Sequence, residues 1–134
     1  MIFYLLFMFV LLSIIMSLRL LFMPHKIKGK KVSFENFLLL AMLYATMMIG
    51  FGLIYMLLEM KGFILIIEET KTIGADFFSR LETFIYFSAV TLFSVGYGDI
   101  APIGPGRVIA IIEALIGYTI PAAFVARAVF DREP

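Results

Sequence analysis

Long apolar runs separated by short polar segments dominate the chain, and their spacing predicts helices. Three runs reach the length of about 20 apolar residues that crosses a bilayer, and they cover roughly residues 1–23, 34–58 and 107–130. A fourth stretch, Phe77–Phe93, has apolar residues at helical spacing but is too short for a full crossing. We therefore expect three spanning helices and, before the last of them, one re-entrant helix.

Local signals refine two of these helices. The segment from Ser79 to Glu82 matches a capping box, which makes Ser79 the expected N-cap of the re-entrant helix. Ser33 is the expected N-cap of the second spanning helix. Gly50 and Gly52 narrow one face of that helix, so either a neighbouring helix approaches closely there or the glycines only thin a surface that faces lipid.

Two apolar segments allow more than one interpretation. The first run has the position of a cleaved signal peptide, but no basic residues precede it and it is longer than a signal-peptide core, which favours a spanning helix. The piece Phe63–Ile67 lies within a polar segment and is too short to span. We expect it either to lie at the membrane interface or to extend the second helix.

Composition supports a lipid environment. Hydrophobic residues make up 63% and charged residues 16% of the 134 residues, more apolar surface than a soluble domain of this size can bury. A net charge of +1 argues against a nucleic-acid partner, which needs a dense basic patch. With one histidine, no cysteine and no triad-like arrangement, the chain is not expected to be an enzyme.

The basic residues predict an orientation in the cell membrane. Four lysines lie in the loop after the first run, and such loops face the cytoplasm: Lys26, Lys28, Lys30 and Lys31. The N-terminus is then outside, the re-entrant helix dips in from the outer side, and the C-terminus is cytoplasmic. Arg127 and Arg132 fall on the cytoplasmic side under this arrangement, as the same rule prefers.

The segment after the short helix carries the chemistry. It reads Ser94-Val95-Gly96-Tyr97-Gly98-Asp99. Glycines at alternate positions allow left-handed backbone angles there, so successive carbonyl groups can turn to the same side. Four copies around an axis would stack rings of oxygen atoms that replace the water shell of a potassium ion. We expect the Ser94 hydroxyl to add the innermost ring, and the Val95 and Tyr97 side chains to point away from the axis and pack against the surrounding helices.

This segment resembles the signature sequence of the potassium channel pore-domain family. The stretch Phe34–Phe130 is similar to the outer helix, turret, pore helix, selectivity filter and inner helix of minimal prokaryotic members. The resemblance implies an all-α membrane protein that forms a homotetramer around a central pore. It also implies that Gly98 belongs to the filter and that K⁺ is coordinated by carbonyl groups of four residues, Ser94, Val95, Gly96 and Tyr97. Residues 1–33 are then an extra N-terminal transmembrane helix with a basic cytoplasmic loop, and residues 34–134 are the pore domain.

The filter segment, Ser94–Asp99, and the helix before it each depart from the commonest family pattern at one position. Serine stands at position 94 in place of the usual threonine, and Val90 stands where some members carry a glutamate behind the filter. The family often places an aromatic donor at the position of Tyr86, close to the filter aspartate. We therefore predict a hydrogen bond from Tyr86 to Asp99, the alternative being that Tyr86 only packs.

The last apolar run contains three residues that bear on opening of the pore and on support of the filter. Glu113 is a carboxylate where ionisation is expensive; it either bonds to the pore helix behind the filter, with Thr91 as the candidate partner, or faces the cavity. Gly117 resembles the hinge glycine of the family. Pro121 cannot donate a hydrogen bond to the Gly117 carbonyl, so we expect a bend between them. Three residues are candidate pore liners: Tyr118, Val125 and Val129.

The sequence thus predicts a subunit of a potassium-selective channel that conducts K⁺ passively as a homotetramer. Its expected partners are potassium ions, membrane lipids and further copies of the chain, with no nucleic acid and no cofactor apart from the permeant ion. A weakly selective cation channel and a non-conducting accessory subunit are the alternatives. The sequence contains no run of regularly spaced arginines, so it does not predict a voltage-sensing helix.

Overall fold

The computed structural model describes residues 1–22, 34–69 and 76–130. These ranges contain four helices and two short strands, in the order α1 (Ile2–Phe22), α2 (Phe34–Met60), β1 (Ile66–Glu68), α3 (Phe77–Leu92), β2 (Ile100–Pro102) and α4 (Pro105–Phe130). Each predicted apolar run is a helix. The expectations for Ser33, for the basic loop and for Arg132 lie outside the described residues.

Two of the helices are long and apolar enough to cross a membrane. The stretches Glu35–Met60 of α2 and Pro105–Arg127 of α4 meet this description. The apolar part of α1 that can be assessed, Ile2–Ser17, is shorter. The crossing of α2 and α4 is thus supported by the length of the helices, while that of α1 stays a prediction.

Helix α1 lies antiparallel to α2. The Lys61 ammonium group, just after the end of α2, lies 4.5 Å from the ring centroid of Phe3 and 5.0 Å from that of Tyr4. In the middle of the pair, a methyl group added to Gly50 would lie 3.0 Å from Cγ1 of Ile14. The first residues of α1 therefore lie at the same end of the molecule as the last residues of α2.

Helix α3 packs against α2 through the second glycine of that helix. A methyl group added to Gly52 would lie 3.1 Å from the Cα atom of Ile85. Both glycines thus permit close helix contacts, as one of the two interpretations predicted. They do so toward different partners, since Gly50 faces α1 and Gly52 faces α3.

The predicted start of α3 was wrong. The helix begins at Phe77 with Asp76 as N-cap, three residues before the expected N-cap Ser79, and Asp76 makes no side-chain capping bond. Its first turn is held instead by a tertiary contact, in which Arg80 pairs with Glu59 near the end of α2 and its Nε donates to Oε2 at 3.0 Å. A contact between distant residues therefore replaces the local cap.

The two short strands pair with each other beyond the helices. Strand β1 is antiparallel to β2, with Ile66 opposite Pro102 and Glu68 opposite Ile100. The segment expected at the interface or as an extension of α2 is thus partly a strand, which the all-helical prediction missed. Where α4 begins, a methyl group added to Gly106 would lie 2.1 Å from the carbonyl oxygen of Leu65, so this glycine lets the start of α4 touch the backbone before β1.

The core lies where α2, α3 and α4 meet. Its fully buried side chains, each less than 2% exposed, come from these three helices and from the residue before β1: Tyr55, Phe84, Met47, Leu65, Leu92, Ile120, Glu113 and Ser88. The last two are polar, so this core contains a hydrogen-bonded carboxylate directly behind α3.

Candidate functional site

The backbone after α3 alternates between two conformations. Ser94, Gly96 and Gly98 have positive φ angles of 58°, 58° and 82°, whereas the residues between them do not. The alternation at the two glycines is the one that the sequence predicted. Ser94 adds a third left-handed position, which is uncommon for a residue with a side chain.

The amide groups of this segment bond back to the end of α3. Ser94 donates its backbone N–H to the Thr91 carbonyl at 3.1 Å, and Val95 and Gly96 both donate to the Val90 carbonyl, at 2.9 and 3.1 Å. Within the described residues, the carbonyl oxygens of Ser94–Tyr97 accept no hydrogen bond from the protein. The segment is therefore anchored through its donors while its acceptors remain available to a ligand.

The outer end of the segment is held by a predicted hydrogen bond. Tyr86 donates its hydroxyl hydrogen to Oδ2 of Asp99 at 2.8 Å, which confirms this expectation. The Asp99 carbonyl also accepts the Glu69 backbone N–H at 3.4 Å, next to strand β1. The segment thus runs alongside α3, fixed at Val90 near one end and at Tyr86 near the other.

Two apolar side chains of this segment have little cover from their own chain. Val95 is 49% and Tyr97 is 72% exposed. The expectation that they pack against surrounding helices is therefore not met among the described residues of one chain.

Glu113 lies fully buried behind α3 and bonds to two hydroxyl groups. Its Oε1 accepts from Ser88 of α3, and its Oε2 accepts from Tyr55 of α2 at 2.9 Å. The predicted partner, Thr91, instead donates to the Phe87 carbonyl at 2.8 Å. Ser88 takes the expected place because it lies three residues earlier on the same helix, on a neighbouring part of the same face.

This buried carboxylate connects three helices at the height of Ser94–Asp99, the predicted filter segment. Ser88 lies between Tyr86, which binds the outer end of that segment, and Val90, which anchors its inner end. The Tyr55 ring stacks on Phe84 at 6.1 Å between ring centroids. The chain's own helices enclose Glu113, and this agrees with the interpretation that has it bonded to the short helix α3.

Gly117 is a contact point between α4 and the end of α3. A methyl group added to it would lie 1.9 Å from the carbonyl oxygen of Leu92. Its own carbonyl accepts the Tyr44 hydroxyl hydrogen at 2.8 Å. Pro121 lies inside α4, so the helical donor to the Gly117 carbonyl is missing as expected. The bend itself stays a prediction.

The remaining candidates on α4 face away from this contact. Tyr118, Val125 and Val129 are all exposed in the protomer. Their assignment as pore liners stays a prediction.

Sequence reasoning missed three residues of this region: Tyr44, Tyr55 and Ser88. A signal for the first two is present in the second apolar run. They are eleven positions apart, about three helical turns, and therefore lie on one face of α2. Hydroxyl groups repeated on one face of an apolar helix indicate acceptors on the neighbouring helices.

Comparison with known proteins gives a consistent result. A family model described as "Ion channel" matches residues 44–129, which include α3, the filter segment and nearly all of α4. The protein LctB of Bacillus caldotenax is 46% identical over 101 residues, 75% of each chain. The protein LctB of Geobacillus stearothermophilus is 43% identical over 103 residues, 77% of each chain. No solved structure matches the chain.

Proposed function

The chain belongs to the ion channel family, and from this premise we propose that it is one subunit of a homotetrameric, potassium-selective channel. Family membership points to a channel rather than an enzyme, and the ion channel match together with two apolar helices indicates a membrane protein. Potassium selectivity, tetrameric assembly and passive conduction are the finer part of the proposal. Potassium ions, lipids and further copies of the chain are then its partners, and K⁺ serves only as the permeant ion.

The observation that carries the proposal is the backbone of Ser94–Gly98. Alternating signs of φ turn the peptide groups so that their carbonyl oxygens can line one side. These oxygens are the groups that accept no hydrogen bond from the described residues, and a ring of such oxygens can replace the hydration shell of K⁺. In this proposal Ser94, Val95, Gly96 and Tyr97 coordinate the ion.

Four chains are proposed because each contains one such segment. A closed ring around an ion requires rotational symmetry, so a single segment per chain calls for several copies. The exposure of Val95 and Tyr97 supports this assembly, since apolar side chains beside a filter need cover that one protomer does not supply. In the tetramer a neighbouring subunit covers them.

Helix α3 adds a favourable field for a cation. It ends at Leu92, directly before the filter segment. The C-terminal end of a helix carries partial negative charge, equivalent to about half an elementary charge. Four such ends around one cavity lower the free energy of a potassium ion held there.

The proposed orientation follows the basic loop. With residues 26–31 in the cytoplasm, the N-terminus and the outer end of the filter lie outside and the C-terminus is cytoplasmic. The antiparallel pairing of α1 and α2 fits this orientation, because Lys61 and Phe3 lie at the same end. Helix α1 is then an extra transmembrane helix on the periphery of the pore domain.

One observation favours a second candidate, a weakly selective cation channel. Position 94 has serine in place of threonine, so the innermost ring keeps the hydroxyl groups but loses four methyl groups. A looser ring would discriminate less between K⁺ and Na⁺. Reversal potentials in mixed potassium and sodium separate the two candidates.

Potassium flux into liposomes that contain only the purified protein tests the proposal. We expect a flux that is lost in Gly96→Ala, because Gly96 has a φ of 58° within the filter. The matched control is Gly62→Ala. It also adds a methyl group to a glycine with positive φ, here 96°, but in the turn after α2. The control should keep the flux. A wild-type protein that carries no ions would identify an accessory subunit instead.

A further inference from the structure

Helix α4 is continuous but lacks one backbone hydrogen bond at Gly117, and this break in its hydrogen bonding has a partner on another helix. Pro121 has no backbone N–H, so the Gly117 carbonyl lacks the donor that an α-helix normally supplies four residues later. Tyr44 of α2 donates its hydroxyl hydrogen to this oxygen at 2.8 Å. An orphan carbonyl in a membrane helix costs free energy unless some other donor satisfies it, and Tyr44 is that donor.

The same tyrosine contacts the base of the filter. Its ring packs against Phe93 with 5.2 Å between ring centroids and a tilt of 34°. Phe93 caps the C-terminal end of α3, and the filter segment begins with the next residue. One side chain therefore contacts both the break in α4 and the point where the filter begins.

The backbone of α4 is already in contact with α3 at this level. Gly117 lies against the Leu92 carbonyl so closely that a methyl group there would lie 1.9 Å from its oxygen. If α4 moves away from both α2 and α3 at Gly117, it loses this contact and the Tyr44 bond together. The two contacts thus favour one position of α4 relative to the filter.

We propose that Tyr44 is a positioning residue that holds the break of α4 against the base of the filter and thereby sets the equilibrium between open and closed pores. The inference rests on the proposed channel function and adds to it a residue outside the filter and outside the predicted hinge. Because the hydroxyl bonds to the carbonyl that Pro121 leaves free, the effect of Tyr44 depends on that proline.

A double-mutant cycle between Tyr44→Phe and Pro121→Ala tests this dependence. Tyr44→Phe keeps the ring on Phe93 and removes only the donor. Pro121→Ala restores a backbone N–H that can bond to Gly117 within the helix. The four proteins are reconstituted and recorded as single channels, with thermal unfolding to verify that each is folded.

We expect Tyr44→Phe to change the open-to-closed ratio about fivefold per subunit, the factor that corresponds to the typical net free energy of one hydrogen bond. In the Pro121→Ala background the change should fall below twofold. Conductance and reversal potential should stay unchanged, because the filter oxygens are not altered. The matched control is Tyr4→Phe, which removes a hydroxyl without a protein partner among the described residues and keeps the ring beside Lys61.

Two results would overturn the inference and are distinguishable from a failure of the proposed function. If Tyr44→Phe changes the ratio equally in both backgrounds, or in neither, the hydroxyl does not act through the carbonyl left free by Pro121. If the wild-type protein carries no current at all, the proposed function fails, and the role of Tyr44 in pore opening fails with it.

Discussion

Gly117 of α4 lies against the carbonyl oxygen of Leu92, at the residue where α3 ends. The sequence interpretation assigned Gly117 to bending, on its resemblance to a hinge glycine and on the proline four residues later. The structure adds a packing role, because no other residue type lets the two backbones approach so closely. A bend of α4 at Gly117 would therefore occur at a point that also contacts the end of α3.

Gly117→Ala should disrupt this contact. The added methyl group would lie 1.9 Å from the Leu92 oxygen, so the helices must separate. Overpacking of this kind costs about 1–3 kcal/mol, which exceeds the gain of up to about 1 kcal/mol in helix propensity from glycine to alanine. We expect a lower midpoint of thermal unfolding in detergent.

Gly50→Ala is the matched control for that experiment. It brings the same gain in helix propensity, but its methyl group meets only the flexible side chain of Ile14, at 3.0 Å. Its unfolding midpoint should change little. A Gly117→Ala protein that is as stable as Gly50→Ala would contradict the close packing of α4 on α3.

Tyr86→Phe should weaken the outer end of the filter. It removes the 2.8 Å hydrogen bond to Asp99 and keeps the aromatic ring. Because this bond ties α3 to Asp99 directly after the segment 94–98, we expect currents to decay faster during sustained conduction when it is lost. Asp99→Asn is the companion variant, because its side-chain oxygen can still accept the bond and should give a smaller effect. Current stability that is unchanged in Tyr86→Phe would show that this tyrosine only packs.

Glu113→Gln tests whether the carboxylate lies in the wall or in the cavity. The residue is fully buried and both of its oxygens accept hydrogen bonds from hydroxyl groups, so the chain's own helices enclose the carboxyl group. We expect block by internal organic cations to stay the same. A changed block would place the side chain in the cavity and contradict the structure.

The hydroxyl partners of Glu113 provide a second measurement at the same position. Glu113→Leu leaves Ser88 and Tyr55 buried without their acceptor, and each unsatisfied polar group costs about 1–3 kcal/mol. Glu113→Gln retains a carbonyl oxygen for one of them. The leucine variant should therefore unfold at a lower temperature than the glutamine variant. The reverse order would argue against the hydrogen bonds from Ser88 and Tyr55 to Glu113.

The sequence was informative where the signals are local. Runs of about 20 apolar residues fix the positions of long helices because the bilayer thickness fixes their length. The glycines at 96 and 98 predicted alternate positive φ angles because few other residues adopt them at low cost. The Tyr86–Asp99 bond was predictable because it connects the short helix to the segment that follows it.

The predictions that failed depend on contacts between distant parts of the chain. The start of α3 is held by Arg80 with Glu59, so the local capping box did not decide it. The partner of Glu113 was placed one helical turn away from its true position, since Ser88 and Thr91 lie on neighbouring parts of one face. The pairing of β1 with β2 and the bond from Tyr44 to Gly117 join segments that no local pattern relates.

The reversal potential of the purified protein in a planar bilayer tests the central claim most directly. With potassium on one side and an equal concentration of sodium on the other, we expect a current that reverses far from zero, at a potential that is negative on the potassium side and opposes the diffusion of K⁺ through the ring of residues 94–97. A reversal near zero would contradict potassium selectivity, and the absence of any current would contradict conduction by this chain alone.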